Sequence, residues 1–224
     1  MQRVLTLTKD GSHTIAIPEI SVTYHSHHGA IQESQHVFID AGFRYQQEAS
    51  QEDSIRIFEM GFGTGLNALL TLIAAAESSR VVQYTTIEQF PLENDKTAAL
   101  NYCEQLQRED MKEVFVKMHG GEWGIELPLT PGFSIRKIKA DLLSWIPDQR
   151  FNIVYYDAFA PTAQPLLWTT EIFSKIFEMI EPGGAMVTYC SKSEVRRAMK
   201  AAGFTVTKIP GPRGKREMVR AFRR

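Results

Sequence analysis

The stretch FEMGFGTGLN, Phe58 to Asn67, constrains this chain more than any other. Three glycines, Gly61, Gly63 and Gly65, stand at alternate positions directly behind the apolar run IRIFEM, and an acid, Glu59, precedes the first by two places. Glycine at that density marks backbone that must turn tightly, or approach a ligand with no side chain between. The apolar run before it reads as a buried strand, and LNALLTLIAAA after it as an apolar helix. The pattern then repeats. VVQYTTIEQ reads as a strand ending in Glu88, NDKTAALNYCEQL as a helix, and FSIRKIKAD as a strand closing at Asp141. LLSWI suggests a short helix and FNIVYYDAF a fourth strand. TTEIFSKIFEMI reads as a helix closed by Pro182-Gly183-Gly184, before the strand AMVTYC. A basic helix, KSEVRRAMKAAGF, stops at Gly203, and TVTKI and REMVRAF form a hairpin-like pair expected at or near a sheet edge. Repeated βα units call for a doubly wound, mainly parallel sheet with helices on both faces.

The first fifty residues break this rhythm. VLTLTK and HTIAI flank Asp10-Gly11, a hairpin turn signal, and ISVTYHS and SQHVFI read as further strands. Residues 1–50 are therefore expected to be a β-rich extension packed on a main domain of residues 51–224. The 224 residues suffice for one sizeable core, and 43% hydrophobic and 23% charged residues suit a globular fold. No apolar run is long enough for a bilayer, and the start MQRVLTLTKDG lacks an apolar leader core. Cys103 and Cys190 have no metal or redox spacing, so a reduced, cytoplasmic setting is expected. The histidines of YHSHH lack a carboxylate or thiol at ligand spacing, and no metal site is expected.

A dinucleotide fingerprint requires G-x-G-x-x-G/A, yet Leu66 occupies the last position and the third glycine falls one residue early. The spacing acid-x-G-x-G-x-G resembles class I S-adenosyl-L-methionine-dependent methyltransferases. That resemblance implies a Rossmann-like α/β fold and a cofactor held by its amino acid moiety rather than by a pyrophosphate. Carboxylates ending successive strands fit it: Glu88 for the ribose hydroxyls and Asp141 for the adenine amino group.

EMGFGTGLN, EQFPL, DAFAP with its following Pro and Trp, and the closing VRRAM…AGF…GKREM together resemble the methyltransferase module of the bifunctional tRNA 5-methylaminomethyl-2-thiouridine biosynthesis proteins. The likeness runs from about Tyr24 to Phe222. It implies methylation of the amine of 5-aminomethyl-2-thiouridine at the tRNA wobble position. Glu59, Gly61, Gly63, Gly65, Asn67, Glu88 and Asp141 then fall on cofactor positions. Asp157 falls on the catalytic position, with Tyr24, Phe159 and Pro161 around the acceptor. Trp168 either lines that pocket or closes the core. The family's FAD-dependent oxidase half has no counterpart in 224 residues, so a separate oxidase is the expected supplier of substrate.

Charge supports a polyanionic partner. Lys192 to Arg224 hold eleven Lys or Arg against two Glu, a balance of +9, so the overall −1 leaves −10 for residues 1–191. Arg196, Arg197, Lys215 and Arg216 are the expected tRNA contacts, against the alternative of a merely solvated basic terminus. Three other functions remain open at this point: a small-molecule amine methyltransferase, an aminopropyltransferase of the same fold, or a non-catalytic RNA-binding module.

Overall fold

In a computed structural model, which describes residues 1–78 and 80–224, eight strands form one sheet in the order β10-β11-β9-β8-β4-β5-β7-β6. Its centre is β4 (Ser54–Met60), paired in parallel with β5 (Val81–Glu88) on one side and β8 (Phe151–Tyr156) on the other. β5 continues in parallel to β7 (Phe133–Lys139), and β8 to β9 (Ile180–Thr188). Antiparallel strands close both edges: β6 (Glu126–Thr130) beside β7, and the pair β10 (Thr205–Pro210) and β11 (Glu217–Phe222) beside β9. The expected terminal hairpin is this last pair.

Strands covered on both faces read as unbroken apolar runs, as the central ones do here. All six residues of β8 are buried, and β4 buries Ile55, Ile57, Phe58 and Glu59. Alternation divides them between two cores. Ile57, Tyr84, Ile153 and Tyr155 pack on one face with α3 (Leu66–Ala76) and α6 (Lys112–Gly120). Phe58, Val154, Tyr156 and Met186 pack on the other with α7 (Thr170–Met179) and α8 (Ser193–Ala201). Each fully buried side chain of this size contributes about 1.5–3 kcal/mol. The sheet is doubly wound.

The N-terminal segment departs from expectation. β1 (Val4–Leu7), β2 (His13–Ile17) and the short β3 (Val22–Thr23) make a small antiparallel sheet, with Asp10-Gly11 in the first turn. SQHVFI is helical, not a strand. α1 (Ala30–Ser34) passes into the π-helical segment Gln35–Arg44 and then α2 (Tyr45–Ala49). Val37, Phe38, Ile39, Ala41, Gly42 and Phe43 are all buried, because this helix lies flat on the main sheet. At Gly42 a Cβ would come within 3.0–3.2 Å of Tyr155, Val187 and Ile153, so glycine sets the approach.

Smaller differences have local causes. NDKTAALNYCEQL is broken into α4 (Asn94–Ala98) and α5 (Tyr102–Gln105). LLSWI forms a turn in which Ser144 and Trp145 donate to the Asp141 carbonyl. α7 ends at Met179, and Pro182-Gly183-Gly184 lie within β9, where a register shift against β8 absorbs them.

Candidate active site

The chain enters β4 and β8 side by side, and the loops leaving their carboxyl ends meet. This is the switch point where such sheets bind ligands. The meeting is close: Asp157 N donates to Met60 O at 3.2 Å, and a Cβ on Gly61 would stand 3.1 Å from Asp157 O. Gly61, Gly63 and Gly65 have φ of 91°, 49° and 72°, left-handed backbone that other residues adopt at a cost. On Gly63 a Cβ would meet the Tyr24 ring at 3.1 Å.

Above the loop lies a cavity of about 630 Å³, in the range of small-molecule sites. Gly61, Gly63, Asn67, Glu88, Asp141, Asp157, Phe159 and Tyr24 line it, all anticipated from sequence. Glu88 ends β5 and accepts from Gly63 N at 3.2 Å and Phe90 N at 2.9 Å, which ties the glycine loop to the next strand. Asp141 lies two residues beyond β7, fixed by Leu143 N at 2.9 Å. Tyr24 meets Phe159 edge to face at 5.2 Å, and burial pushes its phenol up to about 12.

Asn67 and Asp157 lie on the cavity floor, with buried Glu59 beneath them. Asn67 Nδ2 donates to Glu59 Oε1 at 3.0 Å and to Asp157 Oδ2 at 2.9 Å. Burial raises Glu59 to about 8. It also raises Asp157 to about 7, with the Glu33 charge adding to the rise and the Asn67 hydrogen bond opposing it.

Other expected residues stand elsewhere. Glu59 is 0% exposed and lies beneath the loop, outside the cavity lining. Gly65 caps α3 and packs against His119 rather than facing the cavity. Trp168 is buried in the second core and donates from Nε1 to Phe159 O at 2.8 Å, so it pins the loop after β8 from behind. Pro161 is half-buried in that loop, outside the cavity lining. Lys215 turns inward, paired with Glu33 at 2.6 Å and seated 3.9 Å over the Tyr189 ring. Arg196 is half-buried and bonded to Ser191 O and Ser193 Oγ. Arg197, Lys200, Arg213 and Arg216 are exposed.

Sequence reasoning missed the roof and the backing of the site. Met1 and Arg3 ahead of β1, Ile17 of β2 and Ile20 after it line the cavity, and Arg3 donates to Phe90 O and Pro91 O. The hairpin signal was readable, but where it docks was not. Behind the glycine loop, buried Lys137 donates to His119 O at 2.5 Å, and the His119 Nε2 hydrogen bonds Thr64 O at 3.1 Å. Burial lowers Lys137 to about 8 and His119 to about 4, so His119 is a neutral donor there.

These features suit a cationic, nucleoside-bearing ligand: a side-chain-free loop, and three carboxyl groups, Glu88, Asp141 and Asp157, around one cavity. The profile of a family described as S-adenosyl-L-methionine-dependent methyltransferase matches residues 107–224, more than half the chain. The chain belongs to this family. The methyltransferase therefore takes S-adenosyl-L-methionine as its cofactor, and the residues present fit it. The tRNA 5-methylaminomethyl-2-thiouridine biosynthesis bifunctional protein MnmC of Pseudomonas entomophila (strain L48) is 31% identical over 192 residues, which cover 81% of this chain and 29% of that protein. The methyltransferase spans less than a third of the length of the curated relatives it matches first. The crystal structure of MnmC2 from Aquifex aeolicus has a TM-score of 0.79 at 26% identity, over 100% of this chain and 70% of the other. Spermidine synthase from Thermotoga maritima shares the fold alone, with a TM-score of 0.52 at 11% identity over 98% and 71% of the two chains. No helix among the described residues is long and apolar enough to cross a membrane.

Proposed function

We propose that this methyltransferase acts on the primary amine of 5-aminomethyl-2-thiouridine at the wobble position of tRNA, giving the 5-methylaminomethyl nucleoside. One observation carries the reading: a carboxyl group raised to about 7, Asp157, stands on the cavity floor beside the Tyr24–Phe159 wall. S-adenosyl-L-methionine, when bound, supplies an electrophilic methyl group on a sulfonium. An amine attacks such a carbon only as its free base, with the lone pair directed at it. Asp157, as carboxylate, orients the ammonium by a charge-assisted hydrogen bond and takes up its proton, a transfer suited to a carboxyl group near neutrality. Tyr24 and Phe159 exclude water from that contact. Glu88 keeps acceptor capacity for ribose hydroxyls, Asp141 serves the adenine side, and Gly61 and Gly63 let the backbone approach. Glu59 acts from below, through Asn67.

The tRNA substrate is supported by the relatives named for biosynthesis of that nucleoside, and by the exposed cations Arg197, Lys200, Arg213 and Arg216. An oxidase that exposes the aminomethyl group supplies the substrate, and both act in the cytoplasm. Nucleoside mass spectrometry of tRNA from cells with and without the gene tests the reading. Loss of the gene should leave the aminomethyl nucleoside unmethylated. An unchanged profile would turn attention to a small amine as acceptor. Calorimetry with decarboxylated S-adenosyl-L-methionine tests aminopropyl transfer, and tighter binding of that compound than of the ordinary cofactor would favour it.

A further inference from the structure

Asn67 is expected among the cofactor contacts and lines the cavity, but its Nδ2 is committed to two carboxyl groups. The two hydrogens of Nδ2 go to Glu59 Oε1 and Asp157 Oδ2, while Oδ1 is buried with no hydrogen-bond partner among the described residues. With Asp157 ionised, flipping the amide would press a carbonyl oxygen against a carboxylate, so the active form of the site assigns Nδ2 as the donor.

We propose that Asn67 is a positioning residue: its amide aims the Asp157 carboxylate at the acceptor nitrogen, and Glu59 locks that amide in its rotamer. The inference rests on the role given to Asp157 above. Asp157 follows the last residue of β8, so strand pairing fixes its backbone but not its side-chain torsions. One hydrogen bond to Oδ2 holds the carboxylate and leaves Oδ1 for the acceptor. Misplacement by 1 Å costs about 10²-fold in such a step. The three groups come from three elements: Glu59 from β4, Asn67 from the first turn of α3, and Asp157 from the end of β8. The glycine loop therefore orients the acceptor carboxylate as well as admitting the cofactor. The other charged or titratable groups bearing on Asp157 are Glu33 of α1, Lys215 of the β10–β11 loop, Tyr189 beyond β9 and buried Tyr84 of β5. Without the amide, the Lys215 charge is left to oppose burial and the Glu33 charge at Asp157.

Asn67→Leu conserves volume and removes the donor. Carboxyl ¹³C NMR of the cofactor-free protein, with the Asp157 signal assigned by its absence in Asp157→Asn, should show Asp157 titrating at higher pH than in the parent. A lost hydrogen bond to the charged form acts in that direction. Single-turnover methylation at saturating cofactor should fall by about 10–10²-fold, with S-adenosyl-L-methionine Kd nearly unchanged. Asn67→Ala, which deletes the donor without adding bulk, serves where leucine prevents folding. An unmoved Asp157 titration, with Kd weakened in step with turnover, would overturn the proposal and make Asn67 a cofactor contact. A parent protein inactive on tRNA would instead defeat the reading of the site, and the titration would still test the amide.

Discussion

Gly63 and the two raised carboxyl groups concentrate the physics of this site. A valine at Gly63 would have to adopt a φ of 49° and put its Cβ 3.1 Å from the Tyr24 ring, a conformation that β-branched residues avoid. Gly63→Val should therefore abolish measurable S-adenosyl-L-methionine binding by calorimetry while leaving the circular dichroism of the sheet intact. Parental affinity would show that the loop does not face the cofactor. Glu59 and Asp157, at about 8 and about 7, hold their protons more tightly folded than unfolded, where ordinary carboxyl values near 4 apply. Their contribution to stability is thus complete below about pH 4 and is lost as pH rises through about 7 and 8. Thermal melts of the cofactor-free protein should decline as pH rises from about 4 to about 8 and level off above, and Glu59→Gln should flatten the decline. The same residues show how far sequence carries. Gly61, Gly63, Glu88, Asp141 and Asp157 were legible because spacing and strand ends fix them. That Glu59 lies beneath the loop was not, because burial depends on which side of a pleat a strand presents.

At the level of elements, the helix over residues 30–49 was the largest misreading. VFI within SQHVFI imitates a buried strand, and a π-helical segment with six of its ten residues buried offers no clean 3.6-residue stripe. Where β1–β3 dock was equally hidden, since a hairpin signal is local and its seat over the cavity is not. The basic C-terminus was legible as charge but not as geometry. Lys208, Lys215 and Arg223 pair with Glu217, Glu33 and Glu178, whereas Arg197 on α8 and Arg216 in the β10–β11 loop are exposed. Arg197→Glu with Arg216→Glu should weaken tRNA binding and flatten its salt dependence by roughly 0.7–0.9 per lost phosphate contact. Cofactor affinity, measured in parallel, should not move. A double variant that binds tRNA with the parental salt slope would leave these residues as solvated surface.

Across the whole molecule, two halves of a parallel sheet diverge at β4 and β8, and everything chemical gathers where they part. The small N-terminal sheet roofs that point, and the basic loop and α8 supply the exposed cations. The proposed role of Asp157 is to orient and deprotonate an amine for methyl transfer. Asp157→Asn keeps the side chain's shape and an acceptor oxygen but removes the charge. Single-turnover methylation of tRNA carrying the aminomethyl nucleoside, at saturating S-adenosyl-L-methionine, tests it most directly. The variant should be slower by about 10²-fold or more, the scale of a lost acid–base group, with cofactor Kd little changed. Near-parental turnover by Asp157→Asn would take that role away from the residue.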